Sequence, residues 1–151
     1  MPKPVTVSVD VPQDRASVYE FLDVLGNHEP FTDHLMRDWR LSGPPRGVGA
    51  KAEVHTRALG ISDVVDIEVL AADPPTRIVE RNVAHKAGRV GEGTYVLTPR
   101  AEGGTTITFE YRWIKAPLLD RVLSPLTRAY LRRANGVAMR RLAAHLAATK
   151  S

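Results

Sequence analysis

The sequence predicts an α+β protein in which an antiparallel sheet packs around one long C-terminal helix. Residues 105–113 carry a large apolar or aromatic side chain at every second position, which is typical of a strand. A helical segment then extends from residue 117 to about residue 149, more than twice the length of an ordinary globular helix. Between these segments and the N-terminus, runs of strand-forming residues alternate with short turn signals, so successive strands are expected to pair as neighbours.

The chain begins with a strand and two helical segments. In residues 5–11 valine alternates with polar residues, the period-two pattern of a half-buried strand. A helix is predicted from about residue 14, and the Gly-Asn pair at residues 26–27 ends it. A second short helical segment is predicted for residues 29–35.

Five further strands are predicted before the closing strand. Each is bounded by turn-forming residues such as glycine, proline and aspartate. The short connections favour an antiparallel meander. The five segments are residues 39–42, 50–58, 62–70, 77–85 and 93–98.

The composition is that of an ordinary globular protein. With 151 residues, of which 43% are hydrophobic and 25% charged, the chain is expected to form one ligand-binding domain spanning residues 1–151. It has no cysteine, which excludes disulfides and is typical of a reducing compartment. No segment approaches the ~20 apolar residues of a transmembrane helix, and no signal peptide is recognisable at the N-terminus. We therefore expect a cytoplasmic protein without a transmembrane segment.

Positive charge is concentrated in the last helical segment. The net charge is +4, and this segment contains one acid, Asp120, among seven cations. A basic helix can contact nucleic acid or anionic lipid, or it can simply form a solvated face. Few aromatic residues are interleaved with the arginines, so bases would find no stacking platform and no nucleic-acid partner is predicted. The seven cations are Arg121, Arg128, Arg132, Arg133, Arg140, Arg141 and Lys150.

Four segments of the chain resemble one protein superfamily. They are the strand-to-helix entry at residues 9–22, the turn at residues 69–78, the hairpin at residues 93–109 and the Arg-rich final helix. Together, and over essentially the whole chain, they resemble the START-like or SRPBCC superfamily, in particular its polyketide cyclase/dehydrase and lipid-transport branch. The resemblance implies the helix-grip fold of the birch-pollen allergen. In that fold a curved seven-stranded antiparallel sheet surrounds a long C-terminal helix, two short helices lie between strands 1 and 2, and a ligand cavity separates sheet and helix.

The periodicity of the strands and of the long helix predicts the lining of this cavity. Alternate residues of the last strand share one face, whereas the inward face of residues 77–85 is ambiguous because both faces carry polar residues. On the helix, a broad apolar arc that includes Leu126 has alanines at its middle, which either leave space or permit close packing. The phenol and indole groups of the inward tyrosine and tryptophan side chains either orient a ligand or make their hydrogen bonds within the core. The predicted ligand-binding residues are Tyr95, Phe109, Tyr111, Trp113, Ala134, Asn135, Ala138 and Leu142.

Candidate catalytic groups are few. His28, Asp33 and His34 lie in the segment expected to flank the cavity mouth, where a His–Asp pair could act as a general base. However, Asp33 and His34 are adjacent and point in different directions on a helix, so no catalytic residue is assigned. No His/Asp/Glu trio has the spacing of a metal site, and no phosphate-binding or nucleotide-binding motif occurs, so no metal and no cofactor are predicted.

Three functions are compatible with these observations. The first is the binding of an apolar small molecule, lipid-like, polyketide or polycyclic, between the sheet and the C-terminal helix. The second is a polyketide cyclase, aromatase or dehydratase in the same cavity, which requires at least two ionisable groups that converge inside. The third is a regulatory or membrane-contacting protein that uses the basic C-terminal helix. Because the superfamily contains carriers, cyclases and regulators, the fold alone does not choose among them.

Overall fold

The computed structural model describes residues 1–58 and 60–149, so Leu59, Lys150 and Ser151, and with them the predicted role of Lys150 in the basic helix, lie outside the described residues. The strands are β1 (Val5–Val11), β2 (Met36–Ser42), β3 (Lys51–Ala58), β4 (Ile61–Asp73), β5 (Arg77–Ala84), β6 (Val90–Pro99) and β7 (Thr105–Lys115). The helices are α1 (Arg15–Asp23), α2 (Glu29–Thr32), α3 (Leu118–Val122) and α4 (Ser124–Thr149), with a 3₁₀ turn, Leu25–His28, between α1 and α2.

The seven strands form one antiparallel sheet in the order β1-β7-β6-β5-β4-β3-β2. Strands β2 to β7 pair successively, as the short turns predicted, and β1 closes the order by pairing with β7 from Val5↔Tyr111 to Val11↔Thr105. With the long C-terminal helix and the short helices between β1 and β2, this architecture confirms the predicted helix-grip fold.

The first helix begins where its sequence predicts. The Asp14 side chain accepts a hydrogen bond from the backbone N–H of Ser17 at 2.8 Å, which caps the N-terminus of α1. The second helical segment is shorter than the predicted residues 29–35 and ends at Thr32. The Leu35 N–H closes a turn on the Thr32 carbonyl at 2.8 Å, and Met36 already pairs with β3, which leaves no room for another helical turn.

Strand β2 begins earlier than predicted, at Met36 instead of residue 39. The register with β3 shifts between Arg37 and Arg40, and Asp38 within this irregularity has a φ of 56°. Aspartate tolerates this left-handed conformation better than most residues. The alternation of apolar residues is interrupted at this bulge, which explains why the periodicity identified only the second half of the strand.

The C-terminal helical segment is divided at the Ser-Pro pair of residues 124–125, whose residue types are typical of an N-cap followed by a first-turn proline. Leu123 separates α3 from α4, and α4 packs on β1 and on α2. Ala134, Ala138 and Leu142 are buried on the inner face of α4. Leu126 was expected on this face, but 67% of its surface is exposed, because at 3.6 residues per turn it lies about 120° around the helix axis from Ala138.

No helix in the described part of the chain is both long enough and apolar enough to cross a membrane.

Candidate functional site

Strand β5 directs two polar side chains into the interior. Val69 pairs with Glu80 and Ile67 with Asn82, and residues paired in register share a face of the sheet, so Glu80 and Asn82 lie on the inner face with these buried apolar residues. Glu80 is only 5% exposed and Asn82 only 8%. A carboxyl group and a carboxamide therefore lie inside an otherwise apolar layer.

Two glycines of β6 let the aromatic rings of β7 approach these polar groups. A Cβ atom on Gly91 would lie 2.2 Å from Tyr111 Oη, and one on Gly93 would lie 2.8 Å from the Phe109 ring and 3.5 Å from Glu80 Cγ. Real Cβ atoms do not approach so closely, so the rings occupy space that any larger residue on β6 would fill. Phe109 and Glu80 thus meet over Gly93.

The imidazole of His28 reaches the same place from the 3₁₀ turn. Its Nε2 donates to the carbonyl oxygen of Leu22 at 2.7 Å, which assigns the ring proton to Nε2 and leaves Nδ1 as an acceptor. Nδ1 lies 4.0 Å from Glu80 Oε2, too far for a direct hydrogen bond. The ring packs against Phe31 and Tyr95, with centroid distances of 5.3 and 5.6 Å. His28 is therefore an interior residue and not, as predicted, one that flanks the cavity mouth.

Burial moves the pKa values of this pair in opposite directions. Desolvation raises the pKa of Glu80 to about 7. Desolvation also lowers the pKa of His28 to about 4, although its hydrogen bond to Leu22 acts the other way. At neutral pH His28 is consequently uncharged, so the two residues do not form an ion pair, and Glu80 can either donate or accept a proton. The pKa of Tyr95 lies well above its usual value because the ring is buried and Glu80 is close.

Several polar atoms of the interior make no hydrogen bond to the described residues. Glu80 Oε2 and Asn82 Oδ1 on β5, and Asn135 Nδ2 on the inner face of α4, are all buried and unpaired. A buried polar atom without a partner costs about 1–3 kcal/mol, so such atoms in one interior require an explanation. Two of these unpaired atoms, Glu80 Oε2 and Asn82 Oδ1, lie on the sheet, and the third, Asn135 Nδ2, lies on α4.

The polar tip of Trp113, by contrast, is satisfied. Its indole N–H donates to Asp120 at 2.9 Å, and Arg89 binds the same carboxylate through two hydrogen bonds of 2.5 and 2.8 Å. Burial alone would raise the pKa of Asp120, but the hydrogen bonds from Arg89 and Trp113 outweigh it and hold the pKa below its usual value. Asp120 thus fixes α3 to the end of the sheet, and the Trp113 tip is not available to a ligand.

All eight residues predicted to bind a ligand are buried in the interior, four on β6 and β7 and four on α4. Burial of Tyr111 raises its pKa to about 12, so its phenol stays neutral at physiological pH. Whether these eight residues contact a ligand stays a prediction. A ligand bound between the sheet and α4 would lie next to these residues.

Asp33 and His34 do not form a catalytic pair. The Asp33 carboxylate binds Arg141, and His34 Nε2 binds the carbonyl oxygen of Ala134 at 2.9 Å, so both side chains join α2 to α4 at separate points.

A cavity of about 750 Å³ lies outside this interior, where the ends of β2, β3, β4 and β5 meet. It is lined largely by charged side chains and by His34, His55 and His85, and none of the eight predicted residues lines it. His55 binds Asp38 at 3.1 Å and His85 binds Asp66 at 2.6 Å, and these four side chains are largely exposed. We place the candidate site in the apolar interior, because Glu80 Oε2, Asn82 Oδ1 and Asn135 Nδ2 are buried and unpaired there, whereas the His–Asp pairs of the outer cavity are half-exposed and have partners.

Sequence reasoning missed Glu80, Asn82 and the interior position of His28. The signal for the first two was the Gly-x-Gly at residues 91–93, because glycines at the same parity as Tyr95 mark inward positions where other side chains approach closely. No local signal identifies His28, whose partners come from α1, β5 and β6.

Comparison with known proteins places the chain in a family. A family model described as polyketide cyclase/dehydrase and lipid transport matches residues 3–147. The protein TTHA0849 from Thermus thermophilus has a similar structure, with a TM-score of 0.74 and 18% identity over 98% of this chain and 100% of its own. The major latex-like protein 151 from Panax ginseng is similar with a TM-score of 0.73 and 15% identity, covering 95% of this chain and 96% of its own. DynU16, from the dynemicin biosynthetic locus, is 26% identical with a TM-score of 0.68 over 97% of this chain, which spans 48% of DynU16. Among curated proteins no match was found. The chain belongs to the polyketide cyclase/dehydrase and lipid transport family.

Proposed function

We propose that this protein binds one apolar small molecule, lipid-like or polycyclic, between the inner face of the sheet and α4. The observation that carries this proposal is the pair of buried, unpaired acceptors Glu80 Oε2 and Asn82 Oδ1 in an apolar layer. A ligand hydroxyl or amine group placed there would recover the free energy that these atoms lose on burial. The aromatic rings of β6 and β7 would contact its apolar body.

The family and its members support this class of ligand. The family description joins polyketide cyclases and dehydrases with lipid transport, and both require a site for a largely apolar molecule. DynU16 comes from a biosynthetic locus, which favours a biosynthetic small molecule as the ligand here. A single domain, a cytoplasmic location and the absence of a nucleic-acid partner remain our expectations for the protein.

Uptake of the apolar fluorescent probe N-phenylnaphthylamine tests the proposal. Ala138→Phe places a large ring on the buried face of α4 and should abolish the fluorescence increase, with the fold retained by far-UV circular dichroism. Ala144→Phe makes the same change at an exposed position of the same helix and should leave uptake unchanged. If wild type takes up no probe, or if Ala138→Phe binds it as well as Ala144→Phe, the interior does not bind apolar molecules.

A second candidate function is acid–base catalysis in the same interior, as a cyclase or dehydratase would require. The observation that favours it is the approach of His28 Nδ1 to Glu80 Oε2 at 4.0 Å, with the pKa of Glu80 raised to about 7. A carboxyl group that titrates near neutral pH in an apolar site is suited to take a proton from a bound substrate. This pair provides the two converging ionisable groups that the catalytic hypothesis requires.

Proton abstraction from nitrobenzisoxazole, an apolar probe whose ring opens when a base removes its C–H proton, separates binding from catalysis. A catalytic Glu80 should give turnover that rises with pH through about 7 and that is lost in Glu80→Gln. Glu110→Gln, on the outer face of β7, should keep the wild-type rate. Turnover that survives Glu80→Gln, or that never exceeds the buffer rate, would leave binding as the function.

A further inference from the structure

The segment around α3 exposes an unusual amount of apolar surface. Six of the eleven large hydrophobic side chains that are exposed in the described residues lie between residues 114 and 126. Single exposed hydrophobic residues need no explanation, but a contiguous group marks an interaction surface. We define the α3 patch as the five that lie in or beside α3: Leu118, Leu119, Val122, Leu123 and Leu126, with exposed fractions of 74%, 58%, 67%, 40% and 67%.

The α3 patch has the spacing of a buried helix face but points to solvent. Leu123 N donates to Leu119 O and Thr127 N to Leu123 O, both at 2.9 Å, so two hydrogen bonds with helical spacing connect α3 and α4 across the break at Leu123. Leu119 and Val122 are three residues apart and share the exposed side of α3, and Leu123 and Leu126 extend the exposed apolar stretch into the first turn of α4. In a globular core this face would be covered.

The orientation of this face is fixed by the one acid of the segment. Asp120 is buried and binds both Arg89 and Trp113, which holds α3 with its polar residue toward the protein and its leucines away from it. The arrangement is the reverse of an ordinary surface helix. The contacts of Asp120 with Arg89 and Trp113 therefore hold the leucines of α3 in their exposed position in the folded protein.

The exposed charged residues in and directly after α3 are all positive. Lys115 precedes α3, Arg121 lies within it, and Arg132 and Arg133 follow on α4, and all four are exposed without an acidic partner among residues 1–58 and 60–149. The sequence of α4 contains no aspartate or glutamate. This rim would repel a second copy of the same surface, whereas it complements a negatively charged one.

We propose that the α3 patch docks the protein on the surface of an anionic membrane, with the leucines in the headgroup region and the flanking lysine and arginines on the lipid phosphates. An apolar helix face combined with basic residues is the composition of segments that lie in a membrane interface. Such docking requires no membrane-spanning helix. The inference does not depend on the proposed ligand function, because it concerns the outer surface and not the interior.

Sedimentation with vesicles tests the proposal. Wild type should bind vesicles of phosphatidylcholine with about 30% phosphatidylglycerol more tightly than pure phosphatidylcholine vesicles, and salt should weaken the binding. The double substitution Leu119→Ser and Val122→Ser should lower partitioning about tenfold. Leu41→Ser with Val48→Ser removes the same two residue types at similarly exposed positions elsewhere and should have no effect.

The charged rim is tested separately. Arg121→Gln with Arg133→Gln should weaken binding to the anionic vesicles by about fivefold per arginine, whereas Arg57→Gln with Arg81→Gln should not. Failure of wild type to bind anionic vesicles would overturn the proposal, as would equal losses in the patch and control variants. A dimer in analytical ultracentrifugation that Leu119→Ser with Val122→Ser abolishes, without vesicle binding, would assign the surface to a second copy instead.

Discussion

Replacing Glu80 by glutamine should stabilise the protein above neutral pH and change its stability little in acid. Burial raises the pKa of the Glu80 carboxyl from 4.5 to about 7. The folded protein therefore keeps this proton at pH values where the unfolded chain has released it. Stability consequently falls as the pH rises from about 4.5 to about 7 and is level above that range.

The magnitude follows from the two pKa values. A tenfold change in a proton equilibrium corresponds to about 1.4 kcal/mol, so the difference between 4.5 and about 7 amounts to about 3 kcal/mol. Glutamine has nearly the same shape and cannot ionise, so the variant avoids this loss. The free energy of unfolding of Glu80→Gln relative to wild type should therefore increase by about 3 kcal/mol between pH values of about 4.5 and about 8.

Urea unfolding followed by circular dichroism at the two pH values measures this difference. The pKa of His28 is lowered to about 4, so its contribution has the opposite sign and is lost as the pH falls below 6.5. It is present in both proteins and largely cancels in the comparison. Glu110→Gln, which makes the same change on the outer face of β7, serves as the control. If the relative stability of Glu80→Gln changes by less than about 0.5 kcal/mol between the two pH values, the carboxyl group is not held in a dry interior.

Three further substitutions test the packing around the site. Leu142→Ala should lower the free energy of unfolding by about 2–5 kcal/mol in urea, and a loss below about 0.5 kcal/mol would mean that another face of α4 is buried. Gly91→Ala places a Cβ atom 2.2 Å from Tyr111 Oη, so the ring must move. The near-UV circular dichroism should change with a loss of about 1–3 kcal/mol, and an unchanged spectrum would contradict the close approach. Asp120→Asn weakens the contacts with Arg89 and should cost about 2 kcal/mol in the same urea assay, whereas wild-type stability would show that α3 is held by other contacts.

The sequence predicted the elements whose side chains alternate cleanly. In β1 and β7 one face is apolar and the other polar, so the inward residues could be identified before their partners were known. The helix break before Ser124 could also be predicted from the sequence, because a serine followed by a proline is a local signal for the start of a new helix. The alternation within each strand does not give the order of the strands in the sheet. That order was predicted from the short turns, because strands joined by short turns pair as neighbours.

The polar part of the site could not be predicted in the same way. Strand β5 has polar residues on both faces, and a register shift between Val69 and Ala71 on β4 changes which residues of the two strands face each other. The register with β4 and β6, which the sequence does not give, assigns Glu80 and Asn82 to the interior. The position of His28 depends on a carbonyl of α1 and on rings from two other elements, contacts that no local pattern encodes.

The central claim, that the interior binds an apolar small molecule, is tested most directly by locating a bound probe. Isotope-filtered NOEs from N-phenylnaphthylamine to the isotopically labelled protein should connect the probe with Tyr95 and Phe109 on the sheet and with Ala138 on α4, whose side chains face the same interior. NOEs confined to exposed residues such as Leu119 and Val122, with none to the interior, would show that the probe binds only the outer surface and would contradict the account.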